Sequence, residues 1–291
     1  MNIFFRLRNI IGVLAAAALL AGCSTIKLGY NNLDEIAYWW LDGYVDFSDD
    51  QSVRVRQDLG RLHRWHRANE LPQFASLLRT IEEAVPGDIA PAQACAYFGK
   101  VRERLDVLAI EAEPAVVTLA SGLSAAQLQH LERQYAKGNA KFRKEWVELN
   151  ASELAEKRLE QFTERSEMIY GKLDDAQLAV LRRQIQQSSF DPARMLAERQ
   201  RRQRDALQTL RAVSATSSMT LAESRALMRG FLDRMREPAA AAERSYQQSM
   251  IEEGCRSFSA LHNSMTPAQR NVAARRLRAW QRDLQELAAQ R

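Results

Sequence analysis

The residues predict an all-α protein, an elongated multi-helix bundle built of helical hairpins, and three observations carry that expectation. Only 7 prolines and 12 glycines punctuate 291 residues, while the helix formers Ala, Leu, Arg, Gln and Glu dominate. Apolar residues recur at helical spacing, as in Leu128, Leu131 and Tyr135, in Leu154, Leu159 and Phe162, and in Leu178, Leu181 and Ile185. No stretch shows sustained strand alternation.

The third observation is a short box that returns along the chain. It reads Phe47-Ser48-Asp49-Asp50-Gln51, Leu123-Ser124-Ala125-Ala126-Gln127, Leu173-Asp174-Asp175-Ala176-Gln177, Met219-Thr220-Leu221-Ala222-Glu223 and Met265-Thr266-Pro267-Ala268-Gln269. A degenerate copy, Ile89-Ala90-Pro91-Ala92-Gln93, adds a sixth, and successive offsets of 42, 34, 50, 46 and 46 residues are too irregular for a solenoid. The box encodes helix initiation. A Ser, Thr or Asp at the N-cap accepts from the N3 backbone N–H, and Gln or Glu at N3 reaches back to the N-cap N–H. Helices are therefore predicted to start at Asp49, Ala125, Asp175, Leu221 and Pro267, with Leu123/Leu128 and Leu173/Leu178 spaced as hydrophobic staples. Breaks are predicted near Pro72, Pro86, Pro114, Pro192 and Pro238.

The first element in chain order is a leader. Arg6 and Arg8 precede an apolar run from Ile10 to Leu20, about 11 residues and so too short to span a bilayer. Leu20-Ala21-Gly22-Cys23 follows, and together these read as a bacterial lipoprotein signal. The reading predicts a signal peptide at 1–22, cleavage before Cys23, acylation of the Cys23 thiol and new amine, and a lipidated tether at 23–30. A single all-helical domain then runs from 31 to 291, with 31–190 and 191–291 as alternative sub-halves. Several acyl chains hold a protein durably where one holds it marginally. Ser24, in place of Asp, resembles the residue that permits export to the outer membrane in Gram-negative lipoproteins, and the resemblance implies an outer-membrane address with the body expected to face the periplasm.

The formal charge is +5, from 41 basic and 36 acidic residues, and it is uneven. Residues 23–193 hold 21 basic and 26 acidic side chains, whereas 194–291 hold 18 arginines, no lysine and 10 acids. No nucleic-acid partner is expected from this balance outside the cytoplasm. The densest run, Arg199, Arg201, Arg202 and Arg204, has two readings: a solvated helix face, or contact with the phosphates of lipid or lipopolysaccharide, which the guanidinium fork suits. Beyond Cys23, Cys95 and Cys255 form an even pair in an oxidising compartment; a disulfide is the favoured reading and two buried thiols the alternative. The disulfide would close a loop worth about 4 to 5 kcal/mol on the chain-entropy argument.

Three clusters are candidate sites. Tyr38, Trp39, Trp40, Tyr44 and Phe47 suit a membrane interface, a partner-binding anchor or the packing of a bundle. Asp42 and Asp46, with Asp49 and Asp50, interleave with those rings, the residue mixture of a glycan-cleaving cleft in which two carboxylates flank the bond. His63, His66 and Glu70 fall at i, i+3 and i+7, spacing that offers two nitrogens and an oxygen to a metal, although Arg61, Arg64 and Arg67 oppose a cation there. No cofactor is expected, and no nucleophile elbow, P-loop or dinucleotide fingerprint is present.

Two resemblances add to this. The recurring box is similar to the L-T-x-x-Q motif of Spy and CpxP, periplasmic envelope-stress proteins of which Spy is a chaperone; Thr220 and Thr266 supply the threonine here. A second covers more of the chain: Tyr30-Asn31-Asn32-Leu33, Trp39-Trp40-Leu41-Asp42, Tyr44-Val45-Asp46, Gln51, His63-Arg64-Trp65-His66, Glu70-Leu71-Pro72 and Leu261-His262-Asn263-Ser264. These resemble a family of uncharacterised proteobacterial lipoproteins with a domain of unknown function, a likeness that implies location and helical fold and no activity. The expected function is non-enzymatic: a membrane-tethered envelope protein that binds a protein partner or holds unfolded chains. The alternatives are a peptidoglycan- or glycan-active protein using the cluster at 39–50, and a passive spacer of the envelope.

Overall fold

The computed structural model describes residues 22–215 and 219–290; the leader through Ala21 lies outside them. Twelve α-helices are present among the described residues. They are α1 (Gly22–Asn31), α2 (Leu33–Val45), α3 (Asp49–Asn69), α4 (Leu71–Ala84), α5 (Pro91–Ser121), α6 (Ala125–Phe142), α7 (Ala151–Tyr170), α8 (Asp175–Gln186), α9 (Pro192–Ala215), α10 (Leu221–Arg236), α11 (Ala241–Asn263) and α12 (Pro267–Ala289). A π-helical turn, Arg143–Val147, continues α6. The fold is all-α, as the residues predict, and no single helix among the described residues is long and apolar enough to cross a membrane.

All five predicted starts coincide with observed ones, and Ser48, Ser124, Asp174, Thr220 and Thr266 each close a reciprocal capping box with the residue at N3. In the degenerate copy Ala90 has no side chain to cap with, so α5 begins at Pro91 without a box. A further box, Asn150 with Glu153, starts α7 and escaped the sequence pattern. Pro114 corrects an expected break, because it lies inside α5. A mid-helix proline forfeits one backbone hydrogen bond and crowds the carbonyl four residues earlier. That carbonyl belongs to Ile110, and the helix continues past it because Glu113 and Val117, which bracket the proline, are buried against neighbouring helices.

The glutamines of four boxes do more than cap. Gln51 and Gln127 meet side by side: Gln51 Nε2 donates to the Gly122 carbonyl at 2.9 Å and Gln127 Nε2 to the Asp46 carbonyl at 2.9 Å. The two amides also bond to each other, at 2.6 and 3.4 Å. Gln177 and Gln269 repeat the arrangement, donating to the Ser264 and Lys172 carbonyls at 3.2 and 2.9 Å and to each other at 2.6 and 2.9 Å. In both pairs each glutamine reaches the carbonyl two residues before its partner's N-cap. Each side-chain oxygen also accepts its own N-cap N–H at 3.0 Å. Both lone pairs and both amide hydrogens are thereby used. The crossings join the starts of α3 and α6, and of α8 and α12, over sequence separations of 76 and 92 residues.

Packing ties the two ends of the chain together. α12 lies along α4, α11 packs on α5, and α10 on α5. The largest core cluster joins Val85, Tyr170, Leu173, Leu181, Leu261, Met265, Ala273, Ala274 and Leu277. It crosses the 190/191 boundary, so residues 31–190 and 191–291 share one core. Cys95 of α5 and Cys255 of α11 are joined as a disulfide with a Cα–Cα distance of 5.3 Å, beside Leu77, Ile89, Ala94 and Tyr97.

Two predictions follow from these crossings. Replacing the buried Gln177 by Ala strands carbonyl and N–H groups at two helix starts and is expected to lower unfolding free energy by about 1–3 kcal/mol. Combined with Gln269→Ala in a double-mutant cycle read by urea denaturation, it should give a coupling of about 0.5–3 kcal/mol. Removing the disulfide by Cys95→Ser/Cys255→Ser should cost about 5 kcal/mol, because it reopens a loop spanning 160 residues, a loss that calorimetry reads as a fall in Tm.

Candidate functional site

Residues of α9 and α11, with Arg102 of α5 and the end of α10, border a groove of about 730 Å³. Its floor is apolar and adaptable. Met195 on α9, Met235 at the end of α10, and Met250 and Ile251 on α11 line it, and Pro238 closes one end. Methionine side chains are unbranched and polarisable, so such a floor can reshape around different apolar groups. The rim is basic: Arg194, Arg199 and Arg202 project from α9 and Arg102 from α5, against Glu198 and Glu243. Helix periodicity explains the layout, since 195, 199 and 202 follow one another at i, i+4 and i+7 on one face of α9.

The rim arginines are held in place by neighbours. Arg194 forks onto Glu243 at 2.9 and 3.3 Å and stacks over the Tyr246 ring at 4.0 Å from its centroid. Arg199 Nε donates to Asn139 Oδ1 at 3.0 Å. Glu198 accepts from both Arg201 and Arg202, at 2.6 and 2.7 Å, and these hydrogen bonds, that to Arg201 foremost, hold its carboxyl below the usual range. The predicted arginine run therefore divides. Arg199 and Arg202 line the groove, Arg201 is committed to Glu198, and Arg204 is exposed and does not line it.

The aromatic cluster is split as well. Tyr38 is buried, donates to Ser52 Oγ at 2.9 Å and carries the Arg56 guanidinium on its ring at 3.6 Å. Phe47 and Tyr44 are half-buried, Tyr44 beside Tyr135. Trp39 and Trp40 are exposed. They border a shallow cleft that Gly43, Tyr44, Gln134, Lys137, Gly138 and Lys141 complete, with no carboxylate in its lining. The acids expected beside these rings serve helix ends instead. Asp42 accepts the Phe47 N–H at 2.9 Å, Asp46 terminates α2 in the left-handed conformation, and Asp49 and Asp50 are exposed in the first turn of α3, where negative charge offsets the helix dipole.

His63 and His66 face Tyr30 of α1, not each other's ligand positions. Their rings lie 4.8 and 5.9 Å from the Tyr30 ring, and His66 Nδ1 is 2.9 Å from its hydroxyl. Burial pushes the Tyr30 hydroxyl up to about 12. Glu70 is buried and turns to Arg104 at 3.8 Å. Among the described residues no three His, Cys, Asp or Glu side chains converge as metal ligands. The Tyr–His contact recurs deeper in the molecule, where the fully buried His262 sits with Nδ1 2.9 Å from the Tyr170 hydroxyl and Nε2 2.9 Å from the Gly87 carbonyl. A carbonyl only accepts, so Nε2 carries the hydrogen, Nδ1 accepts from Tyr170, and the ring is neutral.

α1 begins at Gly22 and places Cys23 in its first turn, so the segment 23–30, expected as a tether, is helical. α1 packs against α2 and α12, and Lys27 pairs with Asp283 at 3.2 Å and with Glu286.

A family model described as a family of unknown function (DUF6279) matches residues 43–229. It takes in three of the four crossing glutamines and the α9 wall of the groove and stops before α11. No curated protein and no solved structure matches the chain.

The three half-buried or buried histidines supply a prediction. Burial is the leading cause that lowers the pKa of His63, His66 and His262 below the ordinary 6.5. As pH falls, the unfolded chain takes up these protons before the folded one does. Stability is then complete above about pH 6.5 and declines below it by up to about 1.4 kcal/mol per pH unit for each histidine. Urea midpoints measured between pH 7.5 and 5 should show that decline, and it should be shallower in His262→Phe.

Proposed function

The chain belongs to the DUF6279 family of unknown function, and from that premise we propose that it is an envelope lipoprotein, anchored through Cys23, that binds an apolar segment of another envelope protein in the groove between α9 and α11. The role is non-enzymatic. One observation carries the reading: a methionine floor bordered by four arginines and two glutamates, which fits an apolar stretch flanked by acidic residues. Adaptable methionine surfaces are common where a protein accepts more than one partner, and this supports a chaperone-like use. The resemblance of the capping boxes to the L-T-x-x-Q motif of Spy and CpxP, and of the N-terminal segment to uncharacterised proteobacterial lipoproteins, adds support for a periplasm-facing position on the outer membrane.

Photocrosslinking from positions 195 and 250 in cells, followed by mass spectrometry, tests the proposal. A protein crosslinked from both groove positions and not from Glu160, on an exposed part of α7, is the expected result. Arg199→Glu/Arg202→Glu should reduce capture roughly tenfold, the effect of losing ~1.4 kcal/mol across two rim charges. Equal crosslinking from all three positions overturns the reading.

A further inference from the structure

α2 is amphipathic in the wrong sense for a helix whose only task is to cover a core. At 100° per residue, Leu33, Ile36, Trp39, Trp40 and Gly43 fall within about 120° of its circumference. That face points outward: Leu33 is 43% exposed, Ile36 54%, Trp39 64% and Trp40 62%. The opposite face meets the body through Tyr38, which is buried, and through Asp34, whose carboxylate lies 3.6 Å from His63 Nδ1. Leu28, on α1 just ahead, is 68% exposed. An apolar stripe bearing two tryptophans on one short helix is unusual on a protein surface that has no partner for it.

Its surroundings say what covers it. Across the cleft from Trp39 and Trp40 stand Lys137 and Lys141 of α6, one helical turn apart. Both are exposed, and Lys137 has no ion pair among the described residues, while Lys141 meets only the exposed Glu145 at 3.8 Å. Rings flanked by lysines match the layering of a bilayer surface, where indoles sit at headgroup level and cations meet anionic lipid.

We propose that the outward face of α2, with Lys137 and Lys141, is a membrane-docking surface that lies in the interface of a bilayer containing anionic phospholipid. The inference rests on the membrane address proposed above and adds the face by which the body meets the lipid. Burial of the stripe requires no further conformational change, because the side chains already project from a formed helix.

The full-length protein, purified from membranes and reconstituted into phosphatidylethanolamine/phosphatidylglycerol vesicles, tests this by tryptophan quenching with brominated acyl chains. Two of the five tryptophans sit on the stripe, so up to about two fifths of the emission should be quenched. Trp39→Phe/Trp40→Phe should abolish that quenching, and Lys137→Glu/Lys141→Glu should reduce it in anionic vesicles while leaving it unchanged in phosphatidylcholine. Absence of quenching in the wild type, or quenching that survives the double tryptophan substitution, overturns the proposal. Crosslinking of position 36 to a second protein in place of lipid quenching overturns it too. The intact mass of the same sample reports acylation separately: an acylated protein with unquenched stripe tryptophans sinks the docking face alone, whereas an unmodified Cys23 with quenched tryptophans sinks the anchor and keeps the face.

Discussion

The structure depends on a constraint at helix starts. Every helix leaves backbone donors unsatisfied at its N-terminus; here each box satisfies its own, and in two pairs of starts the glutamine amide goes on to donate to a carbonyl just ahead of the partner helix. A glutamine can do this because its amide both donates and accepts; a glutamate at the same position can only accept when ionised. The distribution in the chain follows that chemistry. The boxes ending in Gln51, Gln127, Gln177 and Gln269 pair across the fold, whereas those ending in Glu153 and Glu223 cap their own helices and stop. Gln93, with no capping hydroxyl at Ala90, turns to the Tyr97 hydroxyl at 2.7 Å. Each pairing fixes where two helices begin relative to each other, and the remaining elements hang from those two fixed points.

A second set of contacts, between ions, crosses the fold as well. The surplus of arginine after residue 194 is spent on acids of the first half: Arg211 on Glu132, Arg225 and Arg229 on Glu113, Arg236 on Asp106, Arg270 on Asp88 and Arg278 on Glu82. Glu113 is the buried member, and the hydrogen bonds from Arg229 and then Arg225 hold its carboxyl below the usual range. A buried carboxylate with two charge-assisted bonds is tolerable where an unpaired one is not. The exposed pairs contribute little each, but together they orient the C-terminal helices on the N-terminal ones. The charge asymmetry along the sequence is therefore in part an internal complementarity, and among the described residues the groove arginines Arg102 and Arg199 have no carboxylate partner of their own.

How far the sequence revealed this can be stated residue by residue. Capping chemistry is local, so the starts of α3, α6, α8, α10 and α12 were legible to the residue, and the Cys95–Cys255 pairing followed from arithmetic on two remaining thiols. The glutamine crossings were not anticipated, although the signal was present: Gln in place of Glu at N3 is the difference between pairing and simple capping. Pro114 misled because a proline forfeits one backbone hydrogen bond without ending a helix that packing holds, and the burial of Glu113 and Val117 on either side of it is tertiary. The groove was only half visible, since Arg199 and Arg202 stand in a conspicuous run while Met235 and Met250 are brought to them by tertiary packing. The aromatic cluster was found as a cluster, but periodicity within α2 was needed to separate the buried Tyr38 from the outward Trp39 and Trp40.

The helical state of α1 changes what an anchor at Cys23 would do. An extended leash of eight residues would let the body swing through roughly 25 Å. A helix that packs on α2 and α12, with Lys27 between Asp283 and Glu286 and Tyr30 against His63 and His66, instead ties residue 23 to the bundle at a fixed distance. On the proposed anchor, acyl chains and α2 stripe would then reach the bilayer together, because both belong to one N-terminal unit. The two attachments reinforce each other: the second contact forms at the high effective concentration set by the first. The groove between α9 and α11 is carried on different helices from the stripe, but it is not remote from it: Arg199 on the groove bonds Asn139 of α6, the residue after Gly138 in the cleft beside Trp39 and Trp40.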